Sequence, residues 1–246
     1  MARQAVADGS DLILVLGGDG TINETLQGLA HCAVPLGILP GGTANVLAME
    51  LGLGSKLELA AERLGLCRPT CIALGRITGT VGARYFLAMC GAGLDAAIVS
   101  EVHAGLKDAA GKLAYWVAGL QQFRGSITGM QIGVDGKTFP CGFALVSRVK
   151  NYGGDMEIAS GACLLKDDFE VVLFEGSNPL RYAWYMLGVA SGHVQKMRGV
   201  RTLRARDVAI QTAAPIHVDG ELYGYGPALL EIVPGALTLL LPPTYG

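Results

Sequence analysis

Two glycine-rich turns near the start of the sequence have the composition of phosphate-binding loops. Gly17-Gly18-Asp19-Gly20-Thr21 follows the apolar run 11–16, and Pro40-Gly41-Gly42-Thr43-Ala44-Asn45 follows the apolar run 34–39. A glycine turn between a strand and a helix presents backbone N–H groups at the positive end of the helix dipole, where phosphate binds. A single turn of this kind is a tight connection between elements about as often as it is a phosphate-binding loop. Two of them, placed at one sheet edge by a right-handed crossover, predict a polyphosphate site.

Two carboxylates near the other end of the sequence could supply acid–base chemistry. Asp219 and Glu221 flank a glycine in the segment Ile216-His-Val-Asp-Gly-Glu221. One carboxylate of such a pair can accept the proton of an attacking hydroxyl while the other helps to hold Mg2+. Taken alone, Asp-Gly between two strands indicates a hairpin turn, which is the more common origin of this pattern. The phosphate loops favour the catalytic interpretation.

The elements that must position these residues alternate between strand and helix in the first part of the chain. Runs 12–16 and 34–39 predict buried parallel strands. Thr21, with Glu24 three residues later, predicts the N-cap of a helix reaching residue 30, and Thr43 predicts the N-cap of a helix reaching residue 51.

After residue 71 the pattern changes to strands and glycine turns, interrupted by three helical stretches. The predicted helices lie near residues 94–103, 111–123 and 179–190. Asp135-Gly136 predicts a hairpin turn between two of the strands. The predicted strands are 127–134, 137–147, 169–174, 200–205, 208–211, 216–218, 229–233 and 237–241.

This order of elements predicts two domains with a cleft between them. Residues 1–70 would form an α/β nucleotide-binding domain, with three layers around a parallel sheet, on which the last strand of the chain can pack back. Residues 71–246 would form a larger, mainly antiparallel domain of the β-sandwich type.

Composition excludes several classes of protein. With 246 residues, 51% of them hydrophobic, the chain can bury a sizeable core, and a net charge of -2 argues against both disorder and a polybasic nucleic-acid binder. No apolar run reaches the roughly 18 residues of a membrane span, and residues 1–4 lack the pattern of a signal peptide, so we expect a cytoplasmic protein. The scattered cysteines and isolated histidines give no zinc-ligand spacing and no Cys–His nucleophile.

Four segments, taken in order, resemble the diacylglycerol kinase catalytic family. They are Gly17-Gly-Asp-Gly-Thr21 with Asn23-Glu24, Pro40-Gly-Gly-Thr-Ala-Asn45, Gly91-Ala-Gly-Leu-Asp95 and His217-Val-Asp-Gly-Glu221. The likeness is greatest to bacterial soluble lipid kinases, which are also similar to sphingosine and ceramide kinases. The first motif is shared with NAD kinases and phosphofructokinases. The Gly-Thr-Ala-Asn of the second motif distinguishes the diacylglycerol kinase family from them.

The resemblance implies an ATP- and Mg2+-dependent kinase that phosphorylates the hydroxyl of diacylglycerol or a related lipid alcohol, such as a sphingoid base or ceramide. It assigns catalytic roles to Asp219 and Glu221, and places Asp95 opposite the acceptor hydroxyl. Asp167 and Asp168 resemble the position where some bacterial members hold a structural Mg2+, although a solvated turn explains them equally well. The implied nucleotide-binding residues are Gly17, Gly18, Asp19, Gly20, Thr21, Asn23, Gly42, Thr43 and Asn45.

The chain departs from the family pattern at two places. Val46 follows Asn45, where many members have an aspartate that could join the Mg2+ network. The family also opens with a strand and an Asn-Pro-x-Ser-Gly loop, whereas residues 1–9 here predict the end of a helix. We expect this truncation to expose a sheet edge and to remove one set of phosphate-binding N–H groups. Two alternatives therefore stay open: a soluble-substrate kinase like NAD kinase, and a non-catalytic remnant that binds nucleotide or lipid.

A cluster of basic residues lies on one predicted strand and the turn before it. The cluster predicts either a solvated outer face or a contact with anionic headgroups, which would place the protein peripherally on the inner membrane face. Besides its lipid substrate we expect no nucleic-acid partner, and open sheet edges favour a homodimer. The basic residues are Lys196, Arg198, Arg201, Arg204 and Arg206.

Overall fold

The computed structural model describes residues 1–94, 129–153, 156–176 and 178–246. The predicted helix 111–123 and most of the predicted helix 94–103 lie outside these residues. The helices described are α1 (Ala2–Ala7), α2 (Asp19–Leu29), α3 (Val46–Glu50), α4 (Leu57–Leu64) and α5 (Pro179–Ala190), with a short 3-10 helix at Val194–Lys196.

The strands fall into two large sheets and one small pair. They are β1 (Ile13–Gly17), β2 (Cys32–Pro40), β3 (Arg68–Gly79), β4 (Gly82–Phe86), β5 (Met89–Gly93), β6 (Met130–Val134), β7 (Lys137–Cys141), β8 (Phe143–Ser147), β9 (Asn151–Tyr152), β10 (Met156–Glu157), β11 (Phe169–Phe174), β12 (Val200–Ala205), β13 (Asp207–Ile210), β14 (Pro215–Val218), β15 (Glu221–Tyr225) and β16 (Ala228–Leu241).

A parallel group of strands carries the two glycine turns. β1 pairs in parallel with β2, and β2 pairs in parallel with the last part of β16. Leu36 and Ile38 of β2 are buried in the core that also holds Leu26 and Leu29 of α2. On the opposite face, a Cβ added at Gly37 would lie 3.4 Å from Leu64 of α4. The predicted three-layer α/β arrangement around a parallel sheet is confirmed.

Most of the other described strands form an antiparallel β-sandwich. One sheet runs β1-β2-β16-β13-β6-β7, with β3 and β4 also attached through β16, and the other runs β12-β11-β8-β5-β14-β15. Residues from both sheets, such as Ile77 and Leu230 from the first and Val146 and Ile216 from the second, share one buried cluster. The predicted β-sandwich is therefore confirmed, and its first sheet is continuous with the parallel group.

Two predicted strand boundaries are wrong for physical reasons. The predicted strands 229–233 and 237–241 are the single strand β16, because a register shift between Val233 and Leu237 absorbs the intervening residues without ending the pairing with β3. The predicted strand 137–147 is two strands, because the chain passes from one sheet to the other at Gly142, whose N–H donates to Phe174 O at 3.0 Å.

Helix α5 has the predicted bounds and an amphipathic arrangement. Asn178 caps it by accepting a hydrogen bond from Leu180 N at 2.9 Å. Its buried residues are Tyr182, Tyr185, Met186 and Val189. None of the helices that the structure describes is long and apolar enough to cross a bilayer.

Candidate functional site

The two glycine turns lie in direct contact at the end of the parallel strands. Gly41 N donates to Gly17 O at 2.9 Å. A Cβ added at Gly42 would lie 2.5 Å from Gly18 Cα, and one added at Gly18 would lie 3.2 Å from Gly42 Cα. This approach is open only to residues without side chains, so the glycines bring the two loops to one crevice.

The first turn leads directly into the N-terminus of α2. Gly18 is the N-cap, and Ile22 N is the first N–H to bond back, to Gly18 O at 3.1 Å. The predicted N-cap at Thr21 is therefore wrong: the extended conformation that Gly18 adopts against Gly42 lets the helix begin at Asp19. The N–H groups of the first helical turn have no acceptor inside the helix, which leaves them for an anion.

The second turn is held by two polar side chains. Asn45, at a positive φ of 47°, accepts from Gly42 N at 2.8 Å and donates to Gly42 O at 2.7 Å. Asp19 accepts from the N–H groups of Val46 and Leu47 at 3.1 and 3.2 Å. The predicted N-cap at Thr43 is wrong, because Asn45 is the N-cap of α3 and the Asp19 carboxylate of the other turn satisfies its first N–H groups.

These contacts divide the residues predicted to bind nucleotide into two groups. Asp19 and Asn45 fix the shapes of the loops and tie them together. Thr21, Gly42 and Thr43 are exposed on the loops themselves. Asp19 and Asn45 therefore position the exposed residues, and the exposed residues are those that a ligand in the crevice can reach.

Asp219 lies in the two-residue turn between β14 and β15, where it and Gly220 have φ values of 47° and 83°. The hairpin interpretation of Asp-Gly is thus correct, but the turn also buries the carboxylate, which is 8% exposed. Burial raises the pKa of Asp219, and its hydrogen bonds act in the opposite direction. Its oxygens accept from Leu87 N, Ala88 N, Met89 N and Asn23 Nδ2 at 3.0, 3.0, 2.9 and 2.8 Å.

Glu221 begins the next strand and has a different environment. Its side chain is 42% exposed. Its Oε1 lies 2.5 Å from the position of a Cβ added at Gly20, so the carboxylate touches the first turn of α2 and requires glycine there. Its Oε2 accepts from Arg84 Nη2 at 3.0 Å. The hairpin therefore delivers one buried carboxylate and one reachable carboxylate to the N-terminus of α2.

Arg84 of β4 links the two carboxylates and was not predicted as a site residue. Its Nε donates to Asn23 Oδ1 at 2.8 Å, and its Nη2 also contacts Glu24 at 2.5 Å. Asn23 in turn donates to Asp219. The sequence contains no signal for this link, because Arg84 is 61 residues from Asn23 and 137 residues from Glu221, and only the tertiary fold brings the three together.

Gln27 is a second residue that sequence reasoning missed. Its side-chain amide donates to Tyr85 O at 2.8 Å and accepts from Tyr85 N at 3.1 Å. This pair of bonds satisfies the free backbone groups of β4 and fixes α2 beside Arg84. A glutamine four residues after Asn23 on the same helix face was the available signal.

At the predicted structural metal site, the Asp168 carboxylate is bonded to an arginine. Asp168 accepts from Arg204 through both oxygens, at 3.0 Å from Nε and in a close contact with Nη2. Buried Arg148 donates to Leu164 O at 2.8 Å and to Lys166 O at 3.1 Å, and burial lowers its pKa to about 10. In the part of the chain that the structure describes, no group of three or more His, Cys, Asp or Glu residues could hold a metal.

Some residues of the predicted basic cluster are bonded to protein groups and others are exposed. Arg204 is bonded to Asp168, and Arg206 Nε donates to Asp167 O at 3.0 Å. Lys196 and Arg198 are exposed. The remaining predicted site residue, Asp95, lies outside the described residues.

Comparisons with known proteins agree with this arrangement. Residues 1–77 match the family model described as diacylglycerol kinase catalytic domain, and residues 88–241 match the YegS C-terminal NAD kinase beta sandwich-like domain. A diacylglycerol kinase of Bacillus subtilis (strain 168) is 30% identical over 236 residues, which cover 92% of this chain and 76% of that protein. A diacylglycerol kinase of Mycobacterium tuberculosis (strain ATCC 25618 / H37Rv) is 28% identical over 249 residues, covering 97% of this chain and 79% of that protein.

Solved structures show the same fold. A diacylglycerol kinase from Bacillus anthracis str. Sterne superposes with a TM-score of 0.75 at 21% identity, over 98% of this chain and 82% of that chain. A second structure from the same organism superposes with a TM-score of 0.81, also at 21% identity, over 100% of this chain and 82% of that one. At this identity the likeness concerns the fold, and the family models and relatives carry the assignment. The chain belongs to the diacylglycerol kinase family of lipid kinases.

Proposed function

We propose that this protein transfers the γ-phosphoryl group of ATP, with Mg2+, to the hydroxyl of diacylglycerol or a related lipid alcohol. The observation that carries the proposal is the contact of the half-exposed Glu221 carboxylate with the first turn of α2. A reachable carboxylate beside a phosphate cradle is the arrangement that phosphoryl transfer to an alcohol requires. The names of the curated relatives support diacylglycerol as the acceptor class.

The crevice fits a triphosphate. The first N–H groups of α2 point out of the helix without internal acceptors, and Gly42 and Thr43 lie exposed beside them. Because Gly18 and Gly42 lack side chains, neither residue fills the space that the two loops border. Asp19 and Asn45 act as positioning residues that hold this cradle in one shape.

The donor set beside the cradle suits Mg2+. This ion takes oxygen ligands and is usually held by one or two carboxylates together with water and substrate phosphates, so a cluster of three acidic residues is not required. The Thr21 hydroxyl would hold it, together with the remaining lone pairs of the Asp19 carboxylate, each of whose oxygens accepts one backbone N–H. When bound, Mg2+ neutralises charge on the phosphates.

Glu221 is the proposed general base, and Asp219 is a positioning residue. The Asp219 oxygens accept four N–H hydrogen bonds in a buried turn, which leaves them poorly placed to receive a proton. Glu221 has one oxygen bonded to Arg84 and the other directed at the first turn of α2. The acceptor hydroxyl would pass its proton to this second oxygen, Oε1, while Arg84 keeps the carboxylate oriented.

The test is transfer of label from γ-labelled ATP, with Mg2+, to diacylglycerol, sphingosine, ceramide and NAD presented separately in mixed micelles. The wild type is expected to label a lipid, and Glu221→Gln is expected to bind nucleotide without labelling it. Label on NAD alone would replace the proposal with a soluble-substrate kinase. Nucleotide binding without any transfer by the wild type would replace it with a non-catalytic binding protein.

A further inference from the structure

We propose that helix α5 is the surface through which this protein docks on a bilayer that carries anionic headgroups. The inference rests on the proposed function, because a kinase acting on a lipid alcohol must reach its acceptor in a membrane.

One side of α5 is a continuous apolar stripe. Leu180, Trp184 and Leu187 stand at i, i+4 and i+7, which is one face of a helix, and they are 78%, 61% and 56% exposed. Single exposed apolar residues are ordinary on a protein surface, but three large ones in a row form a patch that marks an interaction site. Tryptophan in such a stripe favours the boundary between headgroups and acyl chains.

The helix is fixed with this stripe outward. Tyr182 Oη on the opposite face donates to Gly176 O at 2.9 Å and to Phe174 O at 3.2 Å. Tyr185 Oη donates to Glu175 O at 3.0 Å, and the Tyr185 ring packs edge-on to Phe174 with centroids 5.3 Å apart. Rotation of α5 to bury its stripe would break these contacts, so the apolar face is a permanent feature of the surface.

Two cations border the stripe. A Cβ added at Gly188 of α5 would overlap Met197 Sδ, so the segment around Met197 packs directly on the helix. Lys196 and Arg198 flank Met197 in sequence, are exposed, and form no ion pair with any residue that the structure describes. Arg204 and Arg206, by contrast, are bonded to the 167–168 loop.

This combination selects one occupant. An apolar stripe alone could bind another protein, but the exposed Lys196 and Arg198 complement a surface whose anionic headgroups lie above an apolar interior. Each lysine or arginine near an anionic leaflet strengthens binding about fivefold. The docking surface is therefore the stripe together with Lys196 and Arg198.

The experiment measures co-sedimentation of the full chain with phosphatidylcholine vesicles, with and without phosphatidylglycerol. The variant Leu180→Gln/Trp184→Gln/Leu187→Gln keeps good helix formers at exposed positions. We expect it to lose at least about tenfold in affinity for the anionic vesicles. We expect Lys196→Gln/Arg198→Gln to lose about 25-fold on anionic vesicles and nothing on neutral ones.

A matched control removes apolar surface elsewhere. Leu66 and Val81 are 70% and 64% exposed and lie away from α5, so Leu66→Gln/Val81→Gln should bind like the wild type. A spectroscopic readout is available because the sequence contains two tryptophans, Trp116 and Trp184. In a Trp116→Phe background, Trp184 emission should shift to shorter wavelength when anionic vesicles are added.

Two results would overturn the inference. One is wild-type vesicle binding by the triple α5 variant. The other is a wild-type dimer that this variant converts to monomer with vesicle binding unchanged, which would make the stripe a contact between two copies. Transfer of label to lipid in micelles is measured in parallel, since its absence in a vesicle-binding wild type would overturn the proposed function alone.

Discussion

Two of the places where arginine meets acidic residues, the crevice and the 167–168 loop, differ in how the carboxylate is bonded. At the crevice, Arg84 contacts Asn23, Glu24 and one oxygen of Glu221, so the other Glu221 oxygen stays directed at α2. In the 167–168 loop, Arg204 takes both oxygens of Asp168. A carboxylate that has both oxygens bonded to one guanidinium is a structural part of the protein, whereas a carboxylate bonded through one oxygen keeps the other for chemistry.

The largest expected effect at the crevice is that of Glu221→Gln. Removing a general base lowers kcat by about 10²- to 10⁴-fold. The side chain is half exposed, so the free energy of unfolding and the affinity for nucleotide should stay unchanged. Single-turnover transfer of labelled phosphate and urea denaturation measure the two quantities. Turnover at the wild-type rate would remove Glu221 from the catalytic role.

Asp219→Asn should affect stability as well as turnover. The amide nitrogen would face a backbone N–H that now donates to a carboxylate oxygen, and an unpaired buried donor costs about 3 kcal/mol in the free energy of unfolding. Equilibrium urea denaturation beside the kinetic assay separates the two carboxylates. Loss of turnover with unchanged stability would show that Asp219 itself contacts the substrate, contrary to its proposed positioning role.

Asp168→Asn should lower the free energy of unfolding by about 1 kcal/mol, because its ion pair with Arg204 is partly exposed to solvent. The phosphoryl-transfer rate per folded molecule should not change, since the contacts of the 167–168 loop hold the fold and are not proposed to take part in the reaction. Arg204→Met is the companion variant and should show a larger drop in urea denaturation, because Arg204 also contacts the buried Glu170 carboxylate at 3.3 Å. A reduced kcat in either variant would contradict the division between the two sites.

The smallest expected effect is that of Mg2+, added without nucleotide, on the thermal midpoint of unfolding. Arg204 already binds both Asp168 oxygens, so added Mg2+ should leave the thermal midpoint of the wild type unchanged. The comparison sample is Asp168→Asn in the same buffers. A midpoint that rises with Mg2+ in the wild type and not in this variant would establish the structural metal at 167–168 that the family resemblance implies.

The sequence predicts those features that depend on local pattern. Short runs rich in β-branched and aromatic residues give β11 and β12 with correct bounds, Asp135-Gly136 gives the turn between β6 and β7, and the apolar spacing gives α5. The two glycine turns and the Asp219-Gly220-Glu221 segment stand out because glycine and acidic residues rarely occur together without a reason in backbone geometry or chemistry.

The features that the sequence does not predict depend on contacts between distant segments. Thr43 has the side chain of an N-cap, but the first N–H groups of α3 donate instead to the carboxylate of Asp19, which lies in the other turn. Arg84 has no local signal, because its role exists only where β4 meets α2. The sequence also does not show that Asp219 is buried while Glu221 is reachable. The burial of Asp219 and the four N–H groups that donate to it arise from the tertiary fold.

The course of β16 has a consequence for biosynthesis. This strand pairs with β2 in parallel and with β3 along most of its length, so the sheet beneath the first glycine turn is completed by residues made about 200 positions later. Until residue 241 has left the ribosome, β2 has a bare edge and its apolar side chains lack their neighbours. A nascent chain of this protein therefore depends on protection from aggregation throughout most of its translation, and its phosphate cradle forms among the last parts of the molecule.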